Sequence, residues 1–347
     1  FRAGTNAGNS IESGGNYNVV VGDEAGTAIT TADYTTAIGY AAGLAVTTGR
    51  LNTLIGGLTG DALTVGERNT AVGSVALGAD TQGSRSVAVG NSALATQNFT
   101  SATNAYNTAI GYDAGKSVTT GTQNTLIGGL AGDAITTAGN NAAFGYSALG
   151  ANSTGALNTA IGSGALFNNT TASNNTAVGT NSLLANTTGA NNVAVGTQAL
   201  DANTTASNNT AVGTSALTAN TTGASNVAVG QNALAANTTG TRNTSVGQGS
   251  GYTVTTGVDN SFLGLSAGYG FGGTNTGSNN TALGAYAGYR LTTGIKNTAV
   301  GNGALAANTT ASNNTAVGYV ALEVNTTGTN NVAVGYAALD ANTTGSG

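Results

Sequence analysis

Apolar and polar positions follow a 17-residue unit that recurs along the chain, as in the step from Gly179 to Gly196. The pattern Asn-Thr-Ala-Val-Gly or a close variant of it occurs nineteen times, and sixteen of the eighteen steps between its glycines have this same length. With this glycine numbered as position 5, the unit reads N-T-A-V-G-x-x-A-L-x-x-N-T-T-G-x-N, as in Asn175–Asn191. A fixed short period is typical of a solenoid, so the repeat is the first guide to the fold.

Each unit predicts one short β-strand. The unit is too short for a packed helical hairpin, and Gly, Asn, Thr and Val are poor helix formers. Position 4 is Val, Ile, Leu or Phe in all nineteen units and is followed by a glycine, which indicates a strand that ends in a turn. A single coil cannot bury its own interior, so the coils must stack. The pattern predicts an all-β fold, a parallel β-solenoid (β-helix or β-roll) of about nineteen 17-residue coils.

The period also predicts the domain organisation. Residues 1–17 form a partial or irregular first coil, and residues 18–347 form one continuous array of coils. Two steps between the repeat glycines are longer than the others. They place insertions near 97–104 and near 270–274.

Exchange of residue types within the unit predicts a thin core. Position 9 is Leu in eleven units and Gly in eight, and all eight units with Gly carry an apolar residue at position 12, Phe271 among them. Positions 9 and 12 therefore share one interior volume, because a coil without a large side chain would leave a cavity. Position 4 is assigned to the same interior. The predicted core residues are Val178, Leu183, Val195, Leu200, Val212, Leu217, Ile29, Val46, Leu63, Val118, Ile135, Val254 and Leu291.

Asparagine recurs at position 12 in six consecutive units. Stacked asparagine amides bond to one another along the axis in cross-β assemblies. Each of the six also begins an Asn-x-Ser/Thr sequence, which is the acceptor for N-glycosylation. A shielded ladder is the interpretation we favour over glycosylation. The predicted ladder residues are Asn152, Asn169, Asn186, Asn203, Asn220 and Asn237.

Composition argues against several classes of function. The chain of 347 residues has no His and no Cys, the side chains most used as general bases, thiol nucleophiles and zinc ligands. A net charge of −5 argues against nucleic-acid binding, and no apolar run is long enough to insert into a membrane. The glycine-rich segment Gly247–Gly251 lacks the lysine of a phosphate-binding loop and aligns with an ordinary turn. We expect no enzyme activity, no cofactor and no metal.

Tyrosine offers the candidate surface sites. All twelve tyrosines fall at positions 6, 7, 10 or 17, where charged residues also occur. Aromatic rings can stack on sugars or anchor a partner chain, and the alternative is simple packing against the turns. Three tyrosines flank the insertion at 270–274, which makes it the stronger binding candidate. The candidate binding residues are Tyr269, Tyr286, Tyr289, Tyr40 and Tyr112.

The strand pattern also predicts association between chains. Adjacent residues of a strand face opposite sides, so positions 3 and 4 give the strand two apolar faces. With position 4 inside, position 3 faces outward and needs a cover. We expect a second copy of the chain to supply it. The alternative is a monomer with a mildly apolar strip, since exposed alanine is common.

The unit resembles the head repeats of trimeric autotransporter adhesins, whose pattern occurs here as Ser86–Gly90 and Asn226–Gly230. It is also similar to the repeat arrays of phage tail-fibre and bacterial surface proteins, as in Asn209–Gly223. The adhesin repeat is usually shorter than the unit of this chain. The resemblance implies a left-handed winding and a side-by-side homotrimer. End-to-end stacking is a further expected mode of association, because uncapped solenoid ends expose strand edges that invite pairing. The resemblance also implies an extracellular location, on a bacterial surface or in its matrix, or else on a virion tail fibre.

Together these features predict an extracellular structural and adhesive fibre segment that associates with itself, with glycans or a host surface as further partners. A phage tail-fibre shaft is one alternative. An ice-binding solenoid is another, based on the Thr rows at positions 13 and 14, of which only one can face outward because the two residues are neighbours.

Overall fold

The structure, a computed structural model, describes residues 1–347 and confirms the fold class. The chain is an all-β parallel β-solenoid of about twenty coils and contains no helix. It divides into two compact units, Phe1–Asn174 and Asn175–Gly347. Most of its strands have three residues, and they pair in parallel with the strand of the next coil.

The strands of the first unit are β1 (Arg2–Ala3), β2 (Val19–Val21), β3 (Thr36–Ile38), β4 (Thr53–Ile55), β5 (Thr70–Val72), β6 (Gly83–Ser84), β7 (Val87–Val89), β8 (Thr103–Asn104), β9 (Thr108–Ile110), β10 (Thr125–Ile127), β11 (Ala142–Phe144) and β12 (Thr159–Ile161). Those of the second unit are β13 (Thr176–Val178), β14 (Val193–Val195), β15 (Thr210–Val212), β16 (Val227–Val229), β17 (Thr244–Val246), β18 (Ser261–Leu263), β19 (Thr281–Leu283), β20 (Thr298–Val300), β21 (Thr315–Val317) and β22 (Val332–Val334).

The strand register matches the period of the sequence. In the pair β14–β15, Ala194 lies beside Ala211 and Val195 lies beside Val212, so each residue meets its equivalent in the next repeat. The insertion between β18 and β19 does not change this register, since Leu263 lies beside Leu283 and both occupy position 4. Like residues therefore form columns along the axis, as the repeat predicts.

The side of the strand that faces the interior differs from the prediction. Ala194, at position 3, is fully buried, whereas Val195, at position 4, is 36% exposed. Val178 and Val212 are only partly buried. The assignment of Val178, Val195 and Val212 to the core is therefore wrong. The interior beside the strand is already filled by positions 8, 9 and 12, which leaves space for alanine, and the β-branched side chains lie on the outer face of the sheet.

The other predicted core residues are confirmed. Each is buried, with an exposed fraction of 2% or less. These residues are Leu183, Leu200, Leu217, Ile29, Val46, Leu63, Val118, Ile135, Val254 and Leu291.

Side-chain size at position 3 is coupled to glycine at position 9. A Cβ atom on Gly43 would stand 2.8 Å from Cδ1 of Leu54, and one on Gly60 would stand 2.9 Å from Cδ2 of the same leucine. A large residue at position 3 therefore requires glycine at position 9 in its own coil and in the coil before it. The same arrangement surrounds Val20 (Gly8 and Gly26), Leu126 (Gly115 and Gly132) and Phe262 (Gly251 and Gly268).

Gly288 is a position-9 glycine in a coil whose position-3 residue, Ala282, is small. A Cβ atom on Gly288 would meet only Cβ of Ala282, at 3.6 Å. A small cavity of about 10 Å³ lies between these residues, Leu291 and Leu305. Unfilled space of this kind reduces the stability of a close-packed core.

Filling this cavity should stabilise the protein. We expect Ala282→Val to raise the free energy of unfolding by about 1 kcal/mol, because the added methyl groups enter unfilled space. Ala211→Val is the matched control, since leucine occupies position 9 in its own coil and in the coil before. Overpacking there should cost about 1–3 kcal/mol. Thermal denaturation of both variants measures the difference, and equal shifts in the same direction would contradict the packing rule.

Glycine at position 5 is required by the stacking itself. The φ angle of Gly196 is 136°, and a Cβ atom there would stand 2.5 Å from the carbonyl oxygen of Gly213 in the next coil. No L side chain fits at that distance, and this backbone conformation favours glycine. The constraint explains why position 5 is glycine in all nineteen repeats.

The predicted asparagine ladder is present. All six asparagines are fully buried. In the second unit Nδ2 of Asn203 donates to Oδ1 of Asn186 at 2.9 Å, and Asn220 and Asn237 continue the series at 3.0 and 2.8 Å. In the first unit Asn169 donates to Asn152 at 2.8 Å. Because these side chains are enclosed and bonded, they are inaccessible to a glycosyltransferase in the folded protein.

A second ladder is formed by asparagines at position 1, which occur in most coils. Oδ1 of Asn192 accepts a hydrogen bond from the backbone N–H of Asn209 in the next coil, at 3.0 Å. Nδ2 of Asn192 donates across its own coil to the carbonyl of Ala206 at 2.9 Å, and Asn203 donates to the same carbonyl at 3.0 Å. The two asparagine columns therefore tie the strand to the opposite side of the coil and each coil to the next.

Breaking the position-12 ladder should open the coil locally. Asn203→Ala removes the bonds to Asn186 and Asn220 and leaves their buried groups without those partners, so we expect a loss of about 1–3 kcal/mol. The exposed Thr205→Ala should change stability by about 0.5 kcal/mol or less. Hydrogen exchange resolved by residue is the measurement, because a solenoid can open one coil at a time. Unchanged protection at 186–220 in Asn203→Ala would refute the role of the ladder.

A different network of buried hydrogen bonds lies at the insertion near 97–104. Strand β6 pairs with β8 in a separate two-stranded sheet. Asp80 is fully buried, and its Oδ2 accepts a hydrogen bond from Nε2 of Gln97 at 2.6 Å. Oε1 of Gln97 accepts in turn from Nδ2 of Asn107 at 2.8 Å. Gln97, at position 12, thus links Asp80 of the previous coil to Asn107 of the position-1 column where the extra residues leave the regular path.

Candidate aromatic binding surface

A group of aromatic side chains lies on the second unit, where the turns after β17, β18 and β19 follow one another. Tyr252, Tyr269 and Tyr289 occupy position 10 of three consecutive coils, and we call them the tyrosine column. The rings of Tyr252 and Tyr269 stack with centroids 5.1 Å apart, and those of Tyr269 and Tyr289 stack at 5.4 Å. The one-coil register produces this stack, because it places like residues one strand spacing apart.

The insertion at 270–274 and the coil after it add further groups to the column. The ring of Phe271 stacks on Tyr289 at 5.4 Å, and Tyr286 meets Tyr289 edge to face at 5.5 Å. The guanidinium of Arg290 lies 5.7 Å from the centre of the Phe271 ring. The backbone N–H groups of Gly270 and Phe271 both donate to the carbonyl of Tyr289, which fixes the start of the insertion against the column.

Phe271 does not fill the core, although the sequence predicts that an apolar residue at position 12 does so in coils with glycine at position 9. Its side chain is 50% exposed, and Asn275 is fully buried instead. Backbone bonds between Asn275 and the previous coil, to Thr253 and from Thr255, return the chain to the regular path. The three extra residues thus turn Phe271 outward and bring it onto the tyrosine column.

The structure places the five candidate tyrosines in different settings. It brings Tyr269, Tyr286 and Tyr289 together with Tyr252 and Phe271 in one cluster. Tyr40 and Tyr112 lie in the first unit and are largely exposed. Tyr252 was visible in the sequence as a position-10 residue, and the shared position is the signal that links it to the column.

A polar groove runs beside the tyrosine column. It encloses about 300 Å³ and is lined by Asn232, Gln248, Gly249, Tyr252, Leu265, Ser266 and Tyr269. None of these seven residues is charged. Burial, followed by the neighbouring phenols of Tyr252 and Tyr289, raises the pKa of Tyr269 above its ordinary value. The Tyr269 hydroxyl is therefore protonated at neutral pH and can donate or accept a hydrogen bond.

The threonine rows considered for ice binding differ from each other in the structure. At position 13, the hydroxyl of Thr204 donates to the carbonyl of Thr221 in the next coil at 3.2 Å, and Thr221 donates to Thr238 at 3.1 Å. At position 14, Thr205 is exposed. The position-13 row is therefore partly buried and hydrogen-bonded to the backbone, and the position-14 row is the more exposed of the two.

The structure offers no obvious metal centre. No group of three or more acidic side chains lies close enough together to hold an ion. It also has no helix with the length and apolar character needed to cross a membrane.

Comparison with known proteins adds no relative. No protein-family model matches the chain, and no curated protein matches it significantly.

Proposed function

We propose that the chain is a structural and adhesive segment of an extracellular fibre, which associates side by side with other copies of itself and presents a repetitive surface. The observation that carries this proposal is the outer face of the strands. Val, Ile, Leu and Phe at position 4 form an apolar column in each unit, 36% exposed at Val195 and 48% exposed at Leu263. Position 2, mostly Thr, lies beside it on the same face.

The column supports self-association through its regularity. Monomeric proteins seldom expose continuous apolar surface, and a run of partly exposed position-4 residues extends through each unit. A second copy carries the same column with the same spacing, so matching side chains can pack along the whole contact. The expected state is the side-by-side trimer implied by the resemblance to adhesin repeats, and end-to-end stacking is a further mode.

The place of action follows from the same proposal. A fibre segment of this kind belongs on a bacterial surface or in its matrix, and the resemblance to tail-fibre arrays keeps a virion tail-fibre shaft as the alternative setting. A surface built from repeated coils has a structural and binding role, and we propose no catalytic one. Glycans or a host surface would be the external partners.

Lysine on the outer face should prevent association. We expect the wild-type protein to sediment as a particle of about three times 33.2 kDa, the mass of one chain. The double variant Val195→Lys/Val229→Lys should sediment with the mass of one chain, because buried unpaired charges oppose close packing. The matched control is Thr205→Lys/Thr239→Lys, at exposed position-14 sites of the same coils. Analytical ultracentrifugation provides the measurement. A monomeric wild type, or equal behaviour of the two double variants, would refute association through this face.

A further inference from the structure

The bottom of the groove beside the tyrosine column is not filled by a side chain, because Gly249 occupies position 7 in the coil that carries Tyr252. Most other coils carry a side chain at this position, such as Asn, Gln, Ser, Leu or Val. A Cβ atom on Gly249 would stand 3.5 Å from Oγ of Ser266 and 3.5 Å from Cδ2 and Cε2 of Tyr269. Any longer side chain at residue 249 would therefore lie across the tyrosine edge and fill the groove.

The chemistry of the walls is neutral and mixed. Tyr252 and Tyr269 stack face to face, so they turn ring edges toward the groove. Asn232, Gln248 and Ser266 add amide and hydroxyl groups that both donate and accept hydrogen bonds. A ligand that suits these walls has many hydroxyl groups, apolar C–H surfaces and no net charge.

The groove is also elongated. Its residues come from three consecutive coils, with Asn232 in the first and Tyr269 in the third. Three coils extend over about 10 Å along the axis at the usual strand spacing. This length suits a chain of linked rings better than a single small molecule.

We propose that this groove binds a neutral oligosaccharide, with the edges of Tyr252 and Tyr269 against the sugar rings and with Asn232, Gln248 and Ser266 bonded to sugar hydroxyl groups. The inference rests on the proposed adhesive function and names the class of ligand for it. The segment Gly247–Gly251 then lies at the bottom of a sugar site, and its glycines leave the groove free of side chains there.

Calorimetric titration of the full chain tests the proposal. The probes are cellohexaose, chitohexaose and maltohexaose as neutral chains, with a heparin hexasaccharide and polyglutamate as charged ones. We expect at least one neutral hexasaccharide to bind and the charged polymers not to bind. Gly249→Gln should raise the Kd by about tenfold or more, because the new side chain occupies the groove. Glutamine is tolerated at this position of the repeat, as Gln198 adopts the same backbone conformation with a φ of 58°.

Matched variants separate the groove from general effects on folding. Gly303→Gln changes the position-7 glycine of a coil without a position-10 tyrosine and should leave the Kd unchanged. Gln248→Ala should raise the Kd by about fivefold through one lost hydrogen bond, whereas Asn302→Ala, at the same position of a distant coil, should not. The Gln248 pair decides the question if Gly249→Gln fails to fold.

Three results would overturn the inference: no binding of any neutral hexasaccharide, binding of the charged polymers alone, or equal binding by Gly249→Gln and Gly303→Gln. The fibre proposal is judged separately by sedimentation. A chain that associates side by side and binds none of the sugars would refute the groove assignment and leave the structural role intact.

Discussion

The whole structure depends on the hydrogen-bonded register of one coil upon the next. The three-residue strands are too short to be stable alone, and asparagines, most of them buried, at position 1 of most coils and at position 12 of nine coils, add bonds within and between coils. These amides accept from one coil and donate to another, so a shift of a single residue would leave many buried polar groups unpaired. The sequence therefore keeps a 17-residue period, which places each buried amide beside its partners in the neighbouring coils.

Core packing follows from the same register. Because like positions lie in columns, each interior side chain meets the same position in the coils on either side of it. Leu54 therefore requires glycine at both residue 43 and residue 60, and Phe262 makes the same demand of residues 251 and 268. Neighbouring coils therefore share interior space, and a large side chain in one coil limits the size of the side chains in the coil beside it. The cavity near Gly288 is a place where this shared space is not filled.

The sequence alone predicted the solenoid, its period, the asparagine ladder and most of the core, since all of these depend on residue identity at fixed spacing. It misassigned the strand face, because Val195 is more apolar than Ala194 and hydrophobicity favoured the larger residue for the interior. The paired occurrence of Leu54 or Leu126 with position-9 glycines was the available signal. The tyrosine column could be inferred from position 10, but the outward turn of Phe271 depends on the path of an insertion, which no repeat specifies.

Regular stacking also links structure to the proposed roles. It aligns position-4 side chains into a surface suited to another copy of the chain, and it brings tyrosines from separate coils to within about 5 Å of each other. The departures from regularity, at Gly249 and at 270–274, shape a local site on an otherwise uniform surface. Under the proposed function, binding is therefore expected where the repeat is interrupted.

Distances between spin labels test the register most directly. The chain has no cysteine, so pairs can be introduced at outward position-4 sites of the second unit: Val178 with Val246, four coils apart, and Val178 with Leu263, five coils apart. Double electron–electron resonance should give separations of about 19 and 24 Å, which differ by one strand spacing. Separations that do not increase by about 5 Å for each additional repeat would contradict the stacked-coil account.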